Sequence, residues 1–191
     1  MKKKVLIGLG IISLAILFIG FGFTKNMELH KEYQRAMDSG ITAIKKGEYD
    51  KAKIAFQNAL KKKQQDATAQ RDLNQLNQYL QAKSQFENNE YEKAAITFAQ
   101  VSHVDDGSTI LVRRATAYYM EIEEILKEKN SFNKLYDKAL KLSDEGHYSD
   151  SNEKLNVILE YHDIDEYYYD AIRQKAKALK KSNDHQLTEA T

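Results

Sequence analysis

The stretch KKGEYDKAKIAFQNAL, from Lys45 to Leu60, decides the fold of this chain. One segment of helical periodicity ends at Gly47, and a second begins directly after it. The second segment carries side chains at steps of three, four and three residues: Tyr49, Ala52, Phe56 and Ala59. These steps place side chains on one face of an α-helix. The stretch therefore predicts a helix, a tight turn and a second helix that packs through this face.

The same pattern occurs twice more, in ENNEYEKAAITFAQV (Glu87 to Val101) and in DEGHYSDSNEKLNVIL (Asp144 to Leu159). The second copy has Asn89 at the turn, and the third substitutes Ser151 for the first alanine. A small residue three positions after the tyrosine lets paired helices approach closely. The residues expected to build this repeat are Gly40, Gly47, Tyr49, Ala52, Phe56, Ala59, Tyr91, Ala94, Phe98, Gly146 and Tyr148.

Helical periodicity continues through the rest of the chain, which has no proline and only four glycines after residue 27. We therefore predict an all-α domain over residues 28–182, built from stacked antiparallel helical hairpins. Residues 183–191 show no apolar stripe and are predicted to form a disordered tail. The stripe over residues 108–145 is compatible with one helix or with two.

The N-terminal region resembles a membrane anchor. Val5 to Phe23 is a run of 19 residues without a charge, and as a helix it would span about 28 Å, close to the hydrocarbon core of a bilayer. The cluster Lys2–Lys4 precedes it, so the positive-inside rule predicts a cytoplasmic N-terminus over residues 1–4, a transmembrane helix over 5–23 and an exported remainder. The alternative is a cleaved signal peptide, with Gly20 and Gly22 as the small residues of the cleavage site.

Composition narrows the functional class. The net charge is +1, and a mixed, nearly neutral surface lacks the field of a nucleic-acid binder. There is no cysteine and no recognisable catalytic, phosphate-binding or metal-ligand motif, so we expect neither an enzyme nor a cofactor or metal site. The excess of 24 lysines over 5 arginines, together with the short anchor, fits a bacterial cell-envelope protein.

The repeated turn, Tyr, Ala and Phe resemble the tetratricopeptide repeat family, over roughly residues 28–182. The departures are the missing tryptophan of the first helix, the missing closing proline, and copies 42 and 57 residues apart instead of about 34. A generic helical bundle is the alternative fold. The resemblance implies protein binding on a concave surface built from the first helices. Its groove positions fall on Met37, Ile41, Lys45, Tyr79, Lys83, Glu87, Tyr136, Leu140 and Asp144; the apolar ones could equally be core.

These features predict a membrane-anchored scaffold that binds a protein partner in or near the membrane, which residues 5–23 span. One alternative is a self-associating anchor that pairs through its Leu111–Leu142 stripe, as a homo-oligomer. Another is a cleaved, exported and soluble binding protein. A cation site at His162–Asp165 is the weaker interpretation of a segment that we expect to cap the last helix. Of the consecutive tyrosines Tyr167–Tyr169, at least one is expected to be exposed, near a partner contact.

Overall fold

The computed structural model describes residues 25–189, which form an all-α fold with no strand in that range. The first helix, α1, covers residues 25–46 of the described part. The other helices are α2 (Tyr49–Lys62), α3 (Ala67–Glu87), α4 (Tyr91–Ser102), α5 (Thr109–Asp144), α6 (Tyr148–Leu159) and α7 (Asp170–Glu189), with a 3₁₀ turn over Tyr167–Tyr169 before α7. The all-α prediction is therefore confirmed.

Within residues 25–189 no helix is both long enough and apolar enough to cross a membrane. The predicted anchor at 5–23 and the predicted cytoplasmic residues 1–4 lie outside the described residues.

Three helix-to-helix turns have the same geometry. Gly47, Asn89 and Gly146 have φ values of 76°, 61° and 80°. Each donates its backbone N–H to the carbonyl three residues back, and the following residue donates to the carbonyl five residues back, as in Glu48 to Ala43 at 2.9 Å. This pair of hydrogen bonds defines a Schellman motif, whose left-handed residue is usually Gly and sometimes Asn. The turns predicted at Gly47, Asn89 and Gly146 are therefore confirmed.

The buried positions of the second helices also repeat. In each copy the side chains three, seven and ten residues after the tyrosine have no exposed surface. They are Ala52, Phe56 and Ala59; Ala94, Phe98 and Val101; and Ser151, Leu155 and Ile158. The third copy thus keeps the register of the first two, although its side chains differ.

The described chain packs into two compact units. The first comprises residues 25–81 and 100–115, and the second comprises 82–99 and 116–189. In the first unit, a Cβ atom added to Gly40 would lie 2.5 Å from Cε1 of Phe56, so only glycine allows this approach of α1 and α2. Asp66 caps α3 by accepting a 3.0 Å hydrogen bond from the backbone N–H of Ala69.

A buried glutamine holds the loop before α5 in the first unit. Gln75 accepts a 2.7 Å hydrogen bond from the backbone N–H of Ser108 and donates to the carbonyl of Val101 at 3.3 Å. A Cβ on Gly107 would lie 2.5 Å from Oε1 of Gln75. The loop is therefore anchored by the side chain of a residue of α3 that precedes Ser108 by 33 positions.

The second unit has a core of aliphatic and aromatic side chains from α5, α6, α7 and the segment before α7, including Ile125, Phe132, Leu155 and Tyr169. The Phe98 and Tyr118 rings stack at 4.8 Å, between α4 and α5. Residues 109–144 form one continuous helix, which answers the question that the sequence left open.

The predicted disordered tail is wrong for residues 183–189, because α7 continues to Glu189 and Asn183 is completely buried. Its side chain donates to Ser151 and Asn152 and accepts from Ser143. Polar contacts of this kind leave no apolar stripe in the sequence, which is why periodicity failed to indicate the last two turns of α7.

Candidate interaction surfaces

The nine predicted groove residues divide according to their position before the turn. The first residue of each set lies ten residues before Gly47, Asn89 or Gly146. At this position Met37 and Tyr79 have only 5% and 2% of their surface exposed, and Tyr136 is half-buried. The hydroxyl of Tyr49 donates a 3.2 Å hydrogen bond to that of Tyr79. These side chains belong to the core, which is the alternative given above for the apolar members of the set.

The other two positions, six and two residues before the turn, face solvent to a larger extent. Ile41 and Leu140 are 37% and 39% exposed, and Lys45 and Asp144, one helical turn later, are exposed. In each of the two units, one first helix therefore carries an exposed aliphatic side chain beside an exposed charge. Side chains four residues apart are neighbours on a helix surface.

The remaining groove pair is polar throughout. Lys83 is half-buried and Glu87 is exposed, and they form an ion pair in which Nζ of Lys83 lies 3.7 Å from Oε1 of Glu87. A solvent-accessible ion pair at this spacing contributes only a few tenths of a kcal/mol to stability. The second copy thus offers a charged pair where the first offers an aliphatic side chain and a cation.

Arg114 organises the end of α1 beside Lys45. Its guanidinium donates to the carbonyls of Ile44 at 2.7 Å and Lys45 at 3.0 Å, and to the hydroxyl of Tyr49 at 3.0 Å. The last carbonyls of a helix lack intrahelical partners. The fork supplies a donor to the carbonyl of Lys45 and a second donor to that of Ile44, which also accepts from the N–H of Gly47. Sequence reasoning missed Arg114 because its acceptors are 65 to 70 residues away and two are backbone atoms.

Two exposed isoleucines on second helices were also missed. Ile54 and Ile96 both lie five residues after the repeat tyrosine and are 57% and 63% exposed. The sequence could have indicated them, because in both copies a lysine, an alanine and an isoleucine follow that tyrosine by two, three and five residues. Each isoleucine lies on the outer side of its helix relative to the buried positions three and seven after the tyrosine.

The tyrosine segment before α7 confirms the prediction of an exposed member. Tyr167 is 50% exposed, Tyr168 is half-buried and Tyr169 is 2% exposed. Tyr169 packs edge-on against Phe132 at 5.3 Å and Tyr161 at 5.8 Å. Burial fixes one end of this segment in the core and leaves the Tyr167 ring at the surface.

The electrostatics around these rings favour neutral phenols. Burial, and after it the carboxylate of Glu166, raises the pKa of Tyr168 to about 12. Burial also raises the pKa of Tyr167, and Glu121 and Glu166 act in the same direction. The carboxylates of Glu121 and Glu166 thus make the surroundings of the exposed Tyr167 ring acidic.

The segment His162–Asp165 does not assemble a cation site. Among residues 25–189 no group of three or more His, Asp or Glu side chains is placed to hold a metal. Nε2 of His162 lies 2.8 Å from Oδ2 of Asp163, and the carboxylate of Asp165 is engaged by Arg173, which also contacts Asp170. The segment does not cap the last helix either, because α7 begins only at Asp170.

Comparisons with protein-family models, with curated proteins and with solved structures find no match to this chain.

Proposed function

We propose that this protein is a membrane-anchored scaffold of the cell envelope that binds a segment of a partner protein on a tetratricopeptide-like surface. The fold part of the proposal is supported by the three Schellman turns and the common buried register of α2, α4 and α6. Repetition of one hairpin is typical of solenoids, whose concave surfaces receive peptides or helices.

One observation carries the binding part. Six residues before the turn lies an exposed aliphatic side chain, and two residues before it lies an exposed charge, in the pair Ile41 and Lys45 and again in the pair Leu140 and Asp144. Hairpin packing does not require an aliphatic side chain at these positions, since Lys83 occupies the equivalent one. Each pair supplies an apolar contact with an adjacent charge, which suits an amphipathic segment of a partner.

The anchor part rests on the sequence of residues 5–23 and the preceding lysines. Two measurements test it. A reporter fused after Thr191 shows on which side of the membrane the C-terminus lies, and the mass of the membrane-bound product shows whether the N-terminal residues are retained. An intact N-terminus with the reporter outside the membrane supports a tethered scaffold. A product without residues 1–22 favours the exported soluble binder, and a reporter inside contradicts the predicted orientation.

Photo-cross-linking tests the binding surface. A photoreactive amino acid is placed at Ile41 or at Leu140 of the full-length protein in its own membranes, with Ile54 as a matched control that is more exposed but lies on a second helix. We expect the same partner adduct from Ile41 and Leu140 and none from Ile54. Adducts from Ile54 alone, or from no position, would contradict the proposed surface.

The self-association alternative loses its main support. Much of its stripe on α5 is buried within the chain, since Leu111, Ala115, Ile122 and Ala139 have no exposed surface and Phe132 has 3%, whereas Leu135 and Leu142 are half-buried. Light scattering of the detergent-solubilised chain separates the two functions, because a self-associating anchor gives a dimer or larger species at micromolar concentration.

A further inference from the structure

The start of α1 and the end of α2 together form a surface that we name the basic end: Lys25, Met27, Leu29, Lys31 and Lys61–Lys63. A cavity of about 500 Å³ lies between these segments, and its lining includes Met27, Leu29, Lys31, Lys62 and Lys63. Residues more than 30 positions apart in the chain thus meet in the first unit.

The basic end has an excess of positive charge. It contains five lysines, and the same two segments of the sequence and the residues after α2 contribute three carboxylates: Glu28, Glu32 and Asp66. Two of the carboxylates are engaged. Nζ of Lys62 lies 2.6 Å from Oε2 of Glu32, and Asp66 accepts a 2.7 Å hydrogen bond from Tyr33. Nζ of Lys63 lies 4.0 Å from the centre of the Tyr33 ring, so its ammonium rests on an aromatic face.

Apolar side chains accompany these lysines. Met27 is 46% exposed and Leu29 is 37% exposed, although both lie on the same helix as the buried Tyr33 and Met37. Exposed aliphatic side chains next to lysines are typical of segments that lie at a membrane interface, where the apolar atoms enter the acyl boundary and the ammonium groups contact headgroups.

The position along the chain indicates the occupant. The predicted anchor ends at Phe23, two residues before Lys25. From Phe23 to Lys31 a continuous helix would rise about 12 Å, a few Å more than the headgroup layer of about 5–8 Å on each side of the hydrocarbon core. The long side chain of a lysine can cover this difference. Lys62 and Lys63 line the same cavity as Met27 and Lys31. The end of α2 therefore lies beside the first turns of α1.

We propose that the basic end binds the phosphate headgroups of an anionic membrane surface, so that the first hairpin lies against the bilayer that holds the anchor. This inference rests on the proposed anchor at residues 5–23. Each basic side chain near an anionic surface strengthens association with that surface about fivefold. Lys61–Lys63 would therefore hold the first hairpin against the membrane more firmly than the anchor alone.

Fluorescence quenching on the full-length chain tests the contact. The chain has no cysteine, so Gln64→Cys introduces a unique site for a fluorophore next to Lys63, and Asp50→Cys provides a control at the other end of α2, about 20 Å away. The labelled chain is reconstituted into vesicles of phosphatidylcholine alone or with one quarter phosphatidylglycerol, each containing a headgroup-nitroxide lipid.

We expect quenching at position 64 to be at least threefold stronger with phosphatidylglycerol than without it, and to fall in 1 M salt, where the Debye length is about 3 Å. Position 50 should show little quenching in either lipid. The variant K61E/K62E/K63E should lose the dependence on phosphatidylglycerol. The matched variant K46E/K51E/K53E, which reverses three exposed lysines near the opposite end of the hairpin, should retain it.

Flotation of the vesicles separates failure of this inference from failure of the anchor. A chain that floats with both kinds of vesicle, but whose position 64 is quenched equally in the two, keeps the anchor and overturns the lipid contact. A chain that floats with neither has no anchor, which overturns both proposals. Equal loss of the lipid dependence in the two triple variants would also overturn the contact, because it would show a general charge effect.

Discussion

Nδ2 of Asn183 donates a 2.8 Å hydrogen bond to Oγ of Ser151, which joins the last helix to the third hairpin. The hydroxyl of Ser151 in turn donates to the carbonyl of Ala139 at 2.7 Å. Ser151 occupies the position of Ala52 and Ala94 in the first two copies. The departure of the third copy from the repeat is therefore explained by a polar link that only this copy has.

Replacing Asn183 by Ala should destabilise the second unit by about 1–3 kcal/mol, because Ser143 loses its acceptor and Asn152 loses a donor in a buried place. Urea denaturation followed by helical circular dichroism measures the change. Gln174→Ala, at an exposed position of the same helix, is the control and should change stability by less than about 0.5 kcal/mol.

Truncation gives a second measurement of the same link. A chain that ends after Ser182 should lose at least as much stability as Asn183→Ala, whereas a chain that ends after Gln186 should lose little. Equal stability of both truncations and the full chain would show that residues 183–186 contribute nothing, and would restore the predicted disordered tail.

Gly40→Ala should destabilise the first hairpin by about 1–2 kcal/mol. The new Cβ would lie 2.5 Å from the buried Phe56 ring, and the cost of overpacking exceeds the roughly 1 kcal/mol that alanine gains over glycine in a helix. Thermal unfolding measures the effect, with the exposed Ser39→Ala as control. In combination with Phe56→Leu the cost of Gly40→Ala should shrink; a fully additive double variant would contradict the contact.

Arg114→Lys should lower stability by about 1–2 kcal/mol, because an ammonium cannot reproduce the fork that reaches the carbonyls of Ile44 and Lys45 and the hydroxyl of Tyr49. Hydrogen exchange at the end of α1 should accelerate in the same variant. The adjacent and exposed Arg113→Lys serves as control. If the two variants behave alike in both measurements, Arg114 does not hold the end of α1.

Asp66→Ala should cost about 1 kcal/mol at pH 7 through loss of the helix cap. The hydrogen bonds from the Ala69 N–H and, after it, from Tyr33 lower the pKa of Asp66. A lowered folded-state pKa means that this stability is present above the unfolded pKa of about 3.9 and is lost as pH falls through the folded value. The difference between wild type and variant in urea titrations should therefore shrink from pH 7 to pH 3.

For Asp66, a difference that stays constant down to pH 3 would contradict the ionised cap. The exposed Asp38→Ala is the control for general loss of a carboxylate. Tyr33→Phe removes only one of the two hydrogen bonds, so it should show a smaller effect with the same direction of pH dependence.

The sequence alone determined the three turns and the buried positions of the second helices. Both depend on neighbours within one or two helical turns. A left-handed residue at the end of a helix favours Gly or Asn, and side chains at +3, +7 and +10 share one helix face whatever lies against it. The nine groove positions were implied by the resemblance to the tetratricopeptide repeat family, but that resemblance did not distinguish the buried Met37 and Tyr79 from the exposed Ile41 and Leu140.

Only the tertiary structure decided the polar contacts that join distant segments. Arg114, Gln75 and Asn183 bind atoms 26 to 70 residues away, and many of these are backbone carbonyl and N–H groups that every residue possesses. Such partners leave no period or motif in the sequence. The continuity of α5 and the helical end of α7 depend on this packing, as does the meeting of Lys31 with Lys62 and Lys63, because each requires segments that the chain brings together only when it folds.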